Sequence, residues 1–262
     1  MTWLMGLIVA LACLSSSGVL SVRSQHLTMV GATSALPYLR RAVAGWEAEH
    51  PGYTVSVSGG GSVAGLIEVS RGRADIGVSD VRPNQVLTGK VDLQSLALGR
   101  LPILFIAHLA VGVRNLSRAQ LQRLLMGQST NWKAVGGTHT PVIVMTRPLA
   151  SGSLEIVQHE VLRGGRVTPR AIVALSNGAM LAAVQETPGA LGFVESGNIP
   201  AKVAVLAVDG QVFHPHNAGQ WPFYAVPRLY WRPQASASVK SLALYLATRE
   251  YRPQYGIFDR VS

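Results

Sequence analysis

The sequence predicts an α/β fold with mainly parallel sheets. Three observations carry that prediction. A strand-loop-helix rhythm repeats from residue 27 onward, and strands joined through helices pair in parallel. The chain of 262 residues is 48% hydrophobic and only 14% charged, which supplies core for one large domain or two lobes. Gly and Pro punctuate the ends of the periodic segments, as at Pro51-Gly52.

Residues Trp3 to Leu20 are almost continuously apolar or small, so 1–24 reads as a signal peptide with the mature chain from Gln25. An uncleaved anchor is the competing reading, because the run nearly reaches spanning length. Ala10-Leu11-Ala12-Cys13 approximates a lipoprotein box poorly, which makes a lipid-anchored form the lesser expectation.

Leu27 to Val30 forms a strand that runs through Gly31-Ala32-Thr33-Ser34 into a helix, Tyr38 to His50. Leu39, Ala42, Val43 and Trp46 share one face of that helix. Tyr53 to Ser58 alternates as a second strand, ends in Gly59-Gly60-Gly61-Ser62, and leads into a helix, Val63 to Arg71. Asp75 to Asp80 is a third strand, closing on a carboxylate. Leu101 to Val113 and Trp221 to Val226 are apolar runs suited to crossings between lobes. Arg118 to Met126 is a helix capped by Asn115-Leu116-Ser117, and Pro141 to Thr146 is the strand that delivers Arg147. Further along come Val173 to Ser176, a helix Ala179 to Glu186, a strand ending at Val194, a strand Val203 to Val208, and a helix Ser236 to Thr248.

The charges narrow the function. Lys and Arg number 23 against 13 Asp and Glu, a formal net charge of +10, which fits an anionic partner. The cations are spread out, with no basic block interleaved with aromatics, so nucleic acid is not expected. The only cysteine, Cys13, lies in the leader, and His214-x-His216 has no third ligand nearby, so neither disulfide nor metal is expected.

Four loops fall where strands end and helices begin, the usual ligand position in such folds: Thr33-Ser34, Gly61-Ser62, Ser79-Asp80 and Ser151-Gly152-Ser153. The last follows Arg147 by four residues. By itself a Ser-Gly-Ser step is an ordinary helix cap. With an arginine and three further loops it describes an oxyanion cage. Asp80 then selects the anion, because a carboxylate facing an anion needs a proton between them. Hydrogen phosphate carries one and sulfate does not, and the unbridged contact costs several kcal/mol, on the order of 10³-fold in affinity. A hydrolase using Ser62 is the competing class. Gly60-Gly61-Ser62-Val63-Ala64 misses the nucleophile-elbow pattern at Ala64 and lacks assignable partners. No cofactor is expected, because the glycine run has neither the Lys-Ser/Thr of a nucleotide loop nor a dinucleotide fingerprint.

The motifs Gly31-Ala32-Thr33-Ser34, Gly59-Gly60-Gly61-Ser62, Asp75 through Asp80 and Arg147-x-x-x-Ser151-Gly152-Ser153 occur together in the order and spacing of a known family. So do Asn131-Trp132-Lys133, Ser176-Asn177-Gly178 and Pro188 through Phe193. The chain resembles the PstS-like phosphate-binding proteins of bacterial phosphate ABC transporters. The resemblance implies a type II two-lobed binding-protein fold, with lobe I at 25–106 plus 226–262 and lobe II at 107–225. It implies a periplasmic, monomeric, non-enzymatic protein that binds inorganic phosphate for a membrane ABC permease, or a sensor or binder of another oxyanion. Carried over by residue, Thr33, Ser34 and Ser62 give donors and Asp80 accepts the phosphate proton. Arg147 pairs with the anion, and Ser151, Gly152 and Ser153 close the cage. Some members hold the arginine with an acidic residue two positions later, where this chain has Leu149.

Overall fold

The computed structural model describes residues 25–89, 91–195, 199, 201–214, 220–248 and 257. The expected signal peptide, 1–24, lies outside the described residues.

The first sheet has the order β2-β1-β3-β13-β4. It comprises β1 (Gln25–Gly31), β2 (Tyr53–Ser58), β3 (Ile76–Ser79), β4 (Gln94–Ala97) and β13 (Arg228–Trp231). β1 pairs in parallel with β2 and β3, joined by the crossover helices α1 (Leu36–Glu49) and α2 (Ser62–Ser70). The expected face of α1 is buried: Leu39, Ala42, Val43 and Trp46 pack in one cluster with Leu242 and Leu246 of α7 (Ala237–Thr248). Leu66 and Val69 of α2 pack separately against Val81 and Tyr230.

A close approach between α2 and β3 sets the position of Ser62. A Cβ on Gly65 would lie 2.6 Å from the Val78 carbonyl oxygen, and one on Gly77 would lie 2.4 Å from the Gly65 carbonyl oxygen. Both neighbours are backbone and cannot swing away. The two glycines let the helix lie directly on the strand, with Ser62 at its first residue beside the strand's end.

The second sheet has the order β10-β5-β9-β7-β8, with β12 also paired to β5. Its strands are β5 (Leu101–His108), β7 (Ile143–Thr146), β8 (Ile172–Val173), β9 (Ala190–Glu195), β10 (Val203–Val205) and β12 (Tyr224–Ala225). α4 (Arg118–Leu125) and α6 (Asn177–Glu186) supply helical cover, and Leu121, Leu124, Trp132, Met180 and Val184 join Phe105 and Phe193 in its core. Trp132, fully buried, donates its Nε1–H to the Gly189 carbonyl at 2.8 Å, so its one polar atom is satisfied. β6 (Asn115–Leu116) and β11 (Ala207–Val208) form a separate parallel pair.

The α/β architecture is as the rhythm implied, while the strand directions are mixed. The strand-helix-strand portions are parallel, namely β2-β1-β3 and β9-β7-β8. The strands that return from the crossings are antiparallel: β13 to β3 and β4, and β5 to β9 and β10. β13, together with β4, β6 and the short α3 (Pro83–Val86), has no counterpart in the sequence reading. Its four residues lie between Pro227 and Pro233, too short a run for alternation to register.

Both expected crossings exist as one continuous antiparallel ladder. The β4–β13 pairing passes into the β5–β12 pairing through Leu98 N–H to the Pro227 carbonyl (2.9 Å) and Ile103 N–H to the Phe223 carbonyl (2.9 Å). β5 belongs to the second sheet, pairing with β9 from Ile103 to Ala107. Sheet membership therefore changes before Leu101. Among the described residues no helix is long and apolar enough to cross a membrane.

Gly65→Ala should destabilise the chain by about 1–3 kcal/mol through overpacking. At about 2–4 °C per kcal/mol for a chain of this size, thermal melting should register the loss. An unchanged melting temperature would mean that the α2–β3 approach relaxes freely.

Candidate functional site

The parallel strands of both sheets end at one cavity of about 250 Å³, lined by Thr33, Ser34, Ser62, Asp80, Arg147, Ser151, Gly152 and Glu195. This lies below the roughly 300–1,000 Å³ common for drug-sized ligands, so the cavity suits a small one. Thr33 and Ser34 follow β1, Ser62 opens α2, and Asp80 ends β3. Arg147 follows β7, Ser151 and Gly152 begin α5 (Gly152–Ile156), and Glu195 ends β9.

Seven of the eight residues read from the sequence line this cavity. The eighth, Ser153, is buried behind the wall, where its Oγ lies 2.8 Å from Ser151 Oγ. The chain after it begins as α5 and continues as a wider π-helical turn, Val157–Val161.

Arg147 is 6% exposed and held from two sides. Its Nη1 donates to Asn177 Oδ1 at 2.7 Å, and its Nη2 donates to Thr33 Oγ1 at 3.3 Å. Asn177 in turn donates its Nδ2–H to the Glu195 backbone carbonyl at 2.9 Å. Leu149, the position that is acidic in some relatives, is 89% exposed and takes no part. Asn177 and Glu195 are not among the candidates the sequence singles out. Glu195 had a signal: it ends an apolar strand just as Asp80 does. Asn177 reads as an ordinary helix-start residue, and its contact with Arg147 spans 30 positions.

Asp80 keeps some accessible surface, but its Oδ1 is fully buried and has no hydrogen-bond partner within the protein. Its Oδ2 accepts from Ser62 Oγ at 2.9 Å, and its own backbone N–H donates to the same Oγ at 3.1 Å. Ser34 Oγ and Arg147 Nε are likewise buried without partners. Two potential donors and one acceptor, on residues that line the same cavity, are thus left unsatisfied by the protein, a set that fits a ligand carrying both acceptor oxygens and a donor.

Burial pushes the Asp80 carboxyl well above the ordinary carboxylate range. The nearby Glu195 charge adds to the rise, and the Ser62 hydroxyl and Arg147 oppose it. Glu195 is 4% exposed and also raised by burial. The Ser34 hydroxyl, Arg147 and the Ser153 hydroxyl oppose that rise. Ser34 lies close enough to favour the Glu195 charge but outside good hydrogen-bond geometry. Burial also lowers Arg147, against the pull of Glu195 and Asp80.

The two sides of the cavity touch. Val63 N–H donates to the Ala150 carbonyl at 3.4 Å, and a Cβ on Gly152 would lie 2.4 Å from Asp80 Cβ. On the rim, Gln85 of α3 donates to Glu155 of α5.

A PBP superfamily domain matches residues 20–243, and the chain belongs to that superfamily. The phosphate-binding protein PstS of Bacillus subtilis (strain 168) is 27% identical over 233 residues, covering 87% of this chain and 77% of that protein. A Clostridium perfringens protein assigned as a phosphate ABC transporter substrate-binding protein, solved with bound phosphate, superposes with a TM-score of 0.82. It is 21% identical, over 90% of this chain and all of that one. An ABC-type phosphate transport receptor from Vibrio cholerae gives 0.73 at 24% identity, over 89% of this chain and all of that one.

The raised carboxyls fix a pH dependence. A carboxyl that binds its proton more tightly when folded contributes stability at low pH, and that contribution is lost as pH rises through the folded value. Without added anions, the protein should lose stability as pH climbs above the ordinary carboxylate range. Asp80→Asn should remove part of that loss and melt higher than wild type at neutral pH, by about 1–3 kcal/mol. Near pH ~4, where protonated Asp resembles Asn, the two should converge. A variant less stable than wild type at neutral pH would contradict the assignment.

Proposed function

We propose that this chain binds inorganic phosphate outside the cytoplasm and delivers it to a membrane-bound ABC-type importer. The buried, unpartnered Asp80 Oδ1 opposite Arg147 carries this reading. An oxyanion whose oxygens all lack protons can satisfy Arg147, Ser34 and Ser151 but leaves that carboxylate oxygen facing a lone pair. Hydrogen phosphate satisfies both, donating its P–OH to Asp80 and accepting from Arg147 and the hydroxyls. The B. subtilis relative, a phosphate-binding protein across most of its length, supports the same ligand.

Thr33, Ser34, Ser62, Asp80, Arg147, Ser151 and Gly152 form the binding set, with Ser153 supporting the wall from behind. Two lobes enclose it, divided where the antiparallel ladder passes from one sheet to the other, near Leu98–Leu101 and Ala225–Pro227. The protein works as a monomer, with an importer as its partner and no nucleic acid. The serine-hydrolase reading has less support: among the described residues no histidine lines the cavity, so the usual serine–histidine pair is not assembled at Ser62.

Isothermal titration tests the ligand. Phosphate should bind and sulfate should bind on the order of 10³-fold more weakly, with the gap narrowing in Asp80→Asn, whose amide can donate to a fully deprotonated oxyanion. Equal wild-type affinities, or an unchanged gap in the variant, would remove Asp80 as the filter. Gly152→Ala should weaken phosphate at least tenfold, because the added methyl occupies the contact with Asp80. A variant with wild-type affinity would show that the two sides need not approach this closely.

A further inference from the structure

The cavity holds one more carboxyl than the phosphate reading requires. A cage with Arg147 and Asp80 already has its cation and its proton acceptor. Glu195 lines the same cavity at the end of β9, and its backbone carbonyl is pinned by Asn177, the residue that also positions Arg147. Among the described residues, the charges acting on it are Arg147, from the end of β7, and Asp80, from the end of β3. The other groups facing it are the hydroxyls of Ser34, after β1, and Ser153, in α5. No second cation lines the cavity among these residues.

With both carboxyls ionised, the cavity carries two negative charges against one positive. A hydrogen phosphate dianion would make four against one, in a cavity walled by both sides of the cleft. We propose that Glu195 makes phosphate binding proton-linked, so that the cavity closes on the anion holding one proton more than an Asp80-only cage would hold. This rests on the phosphate reading above. The proton comes from solvent and resides within the cluster of Glu195, Asp80 and the ligand. Coupled groups titrate as a unit, so the count of protons is the defined quantity, not the oxygen that carries them. Where ligand protonation alone sets specificity, affinity for the dianion is independent of pH above the phosphate titration. Here it continues to fall, because every bound anion must bring in a proton from a progressively scarcer supply. The raised protonation range of both carboxyls agrees with such a cluster.

Two measurements with inorganic phosphate test this. The first is calorimetric titration near pH 8 in buffers of different ionisation enthalpy, which counts protons taken up per phosphate bound. Wild type should take up about one and Glu195→Gln about none, while Glu195→Asp, which keeps the carboxyl, should retain the uptake. The second is affinity between pH 7.5 and 9. It should fall about tenfold per unit in wild type and stay flat in Glu195→Gln. The glutamine matches the glutamate in size and carries no charge, so burial should not prevent folding, and thermal melting checks this. No proton uptake by wild type, or equal uptake by wild type and Glu195→Gln, would overturn the proposal while leaving phosphate as the ligand. No phosphate binding by wild type at any pH would overturn the phosphate reading, and this inference with it.

Discussion

A guanidinium buried to 6% exposure requires hydrogen-bond partners and compensating charge together, and the architecture around the cavity follows from that demand. Removing such an ion from water costs several kcal/mol unless it is met on several sides. Arg147 is met by Asn177 from the start of α6, by Thr33 from the loop after β1, and by the charges of Asp80 and Glu195. These groups come from both sheets. The ion can be stable in this position only when both sheets present their strand ends to the same point. Parallel pairing achieves this, because adjacent parallel strands finish side by side, as Gly31 beside Val78 and Thr146 beside Val173.

The second requirement is proximity. Ser62 reaches Asp80 because Gly65 and Gly77 allow α2 to rest on β3, and the second half of the cage reaches Asp80 because residue 152 has no side chain. Small residues at these contacts do not bind anything. They set the distances at which Oγ, Nη and carboxylate atoms meet. A cage made of short, stiff elements of this kind is preorganised, so little ordering remains when a ligand enters.

How much of this was legible in the sequence depended on range. Strand-to-helix units such as Leu27 to His50 announce themselves, because their apolar period and turn residues are local. Loop residues Thr33, Ser62, Asp80 and Arg147 were legible for the same reason, each sitting at the end of a readable strand. β13 was not: its place between β3 and β4 follows from long-range pairing of Arg228 with Ser79 and Ala97, which no window of adjacent residues reveals. Leu149 was informative by contrast. The missing acid there was visible in the chain, but its replacement by Asn177 and Glu195 depends on α6 and β9 converging on β7. A carboxylate closes an apolar strand at Glu195 just as at Asp80, and only the folded contacts tell which role each takes.

The ladder that joins the sheets has a mechanical consequence. The crossing consists of two antiparallel strands, hydrogen-bonded on both sides of the changeover at Leu98–Pro227 and Ile103–Phe223. Such a ribbon is compliant in bending out of its plane, which strains no cross-strand bond, and stiff in shear along its length, which would break register at every rung. The two halves of the molecule therefore have a preferred single degree of freedom, rotation about an axis across the ribbon. Translation of one half past the other is resisted. Bending of that kind would part Gly152 from Asp80 and bring them together again along one path, with no search among alternative alignments.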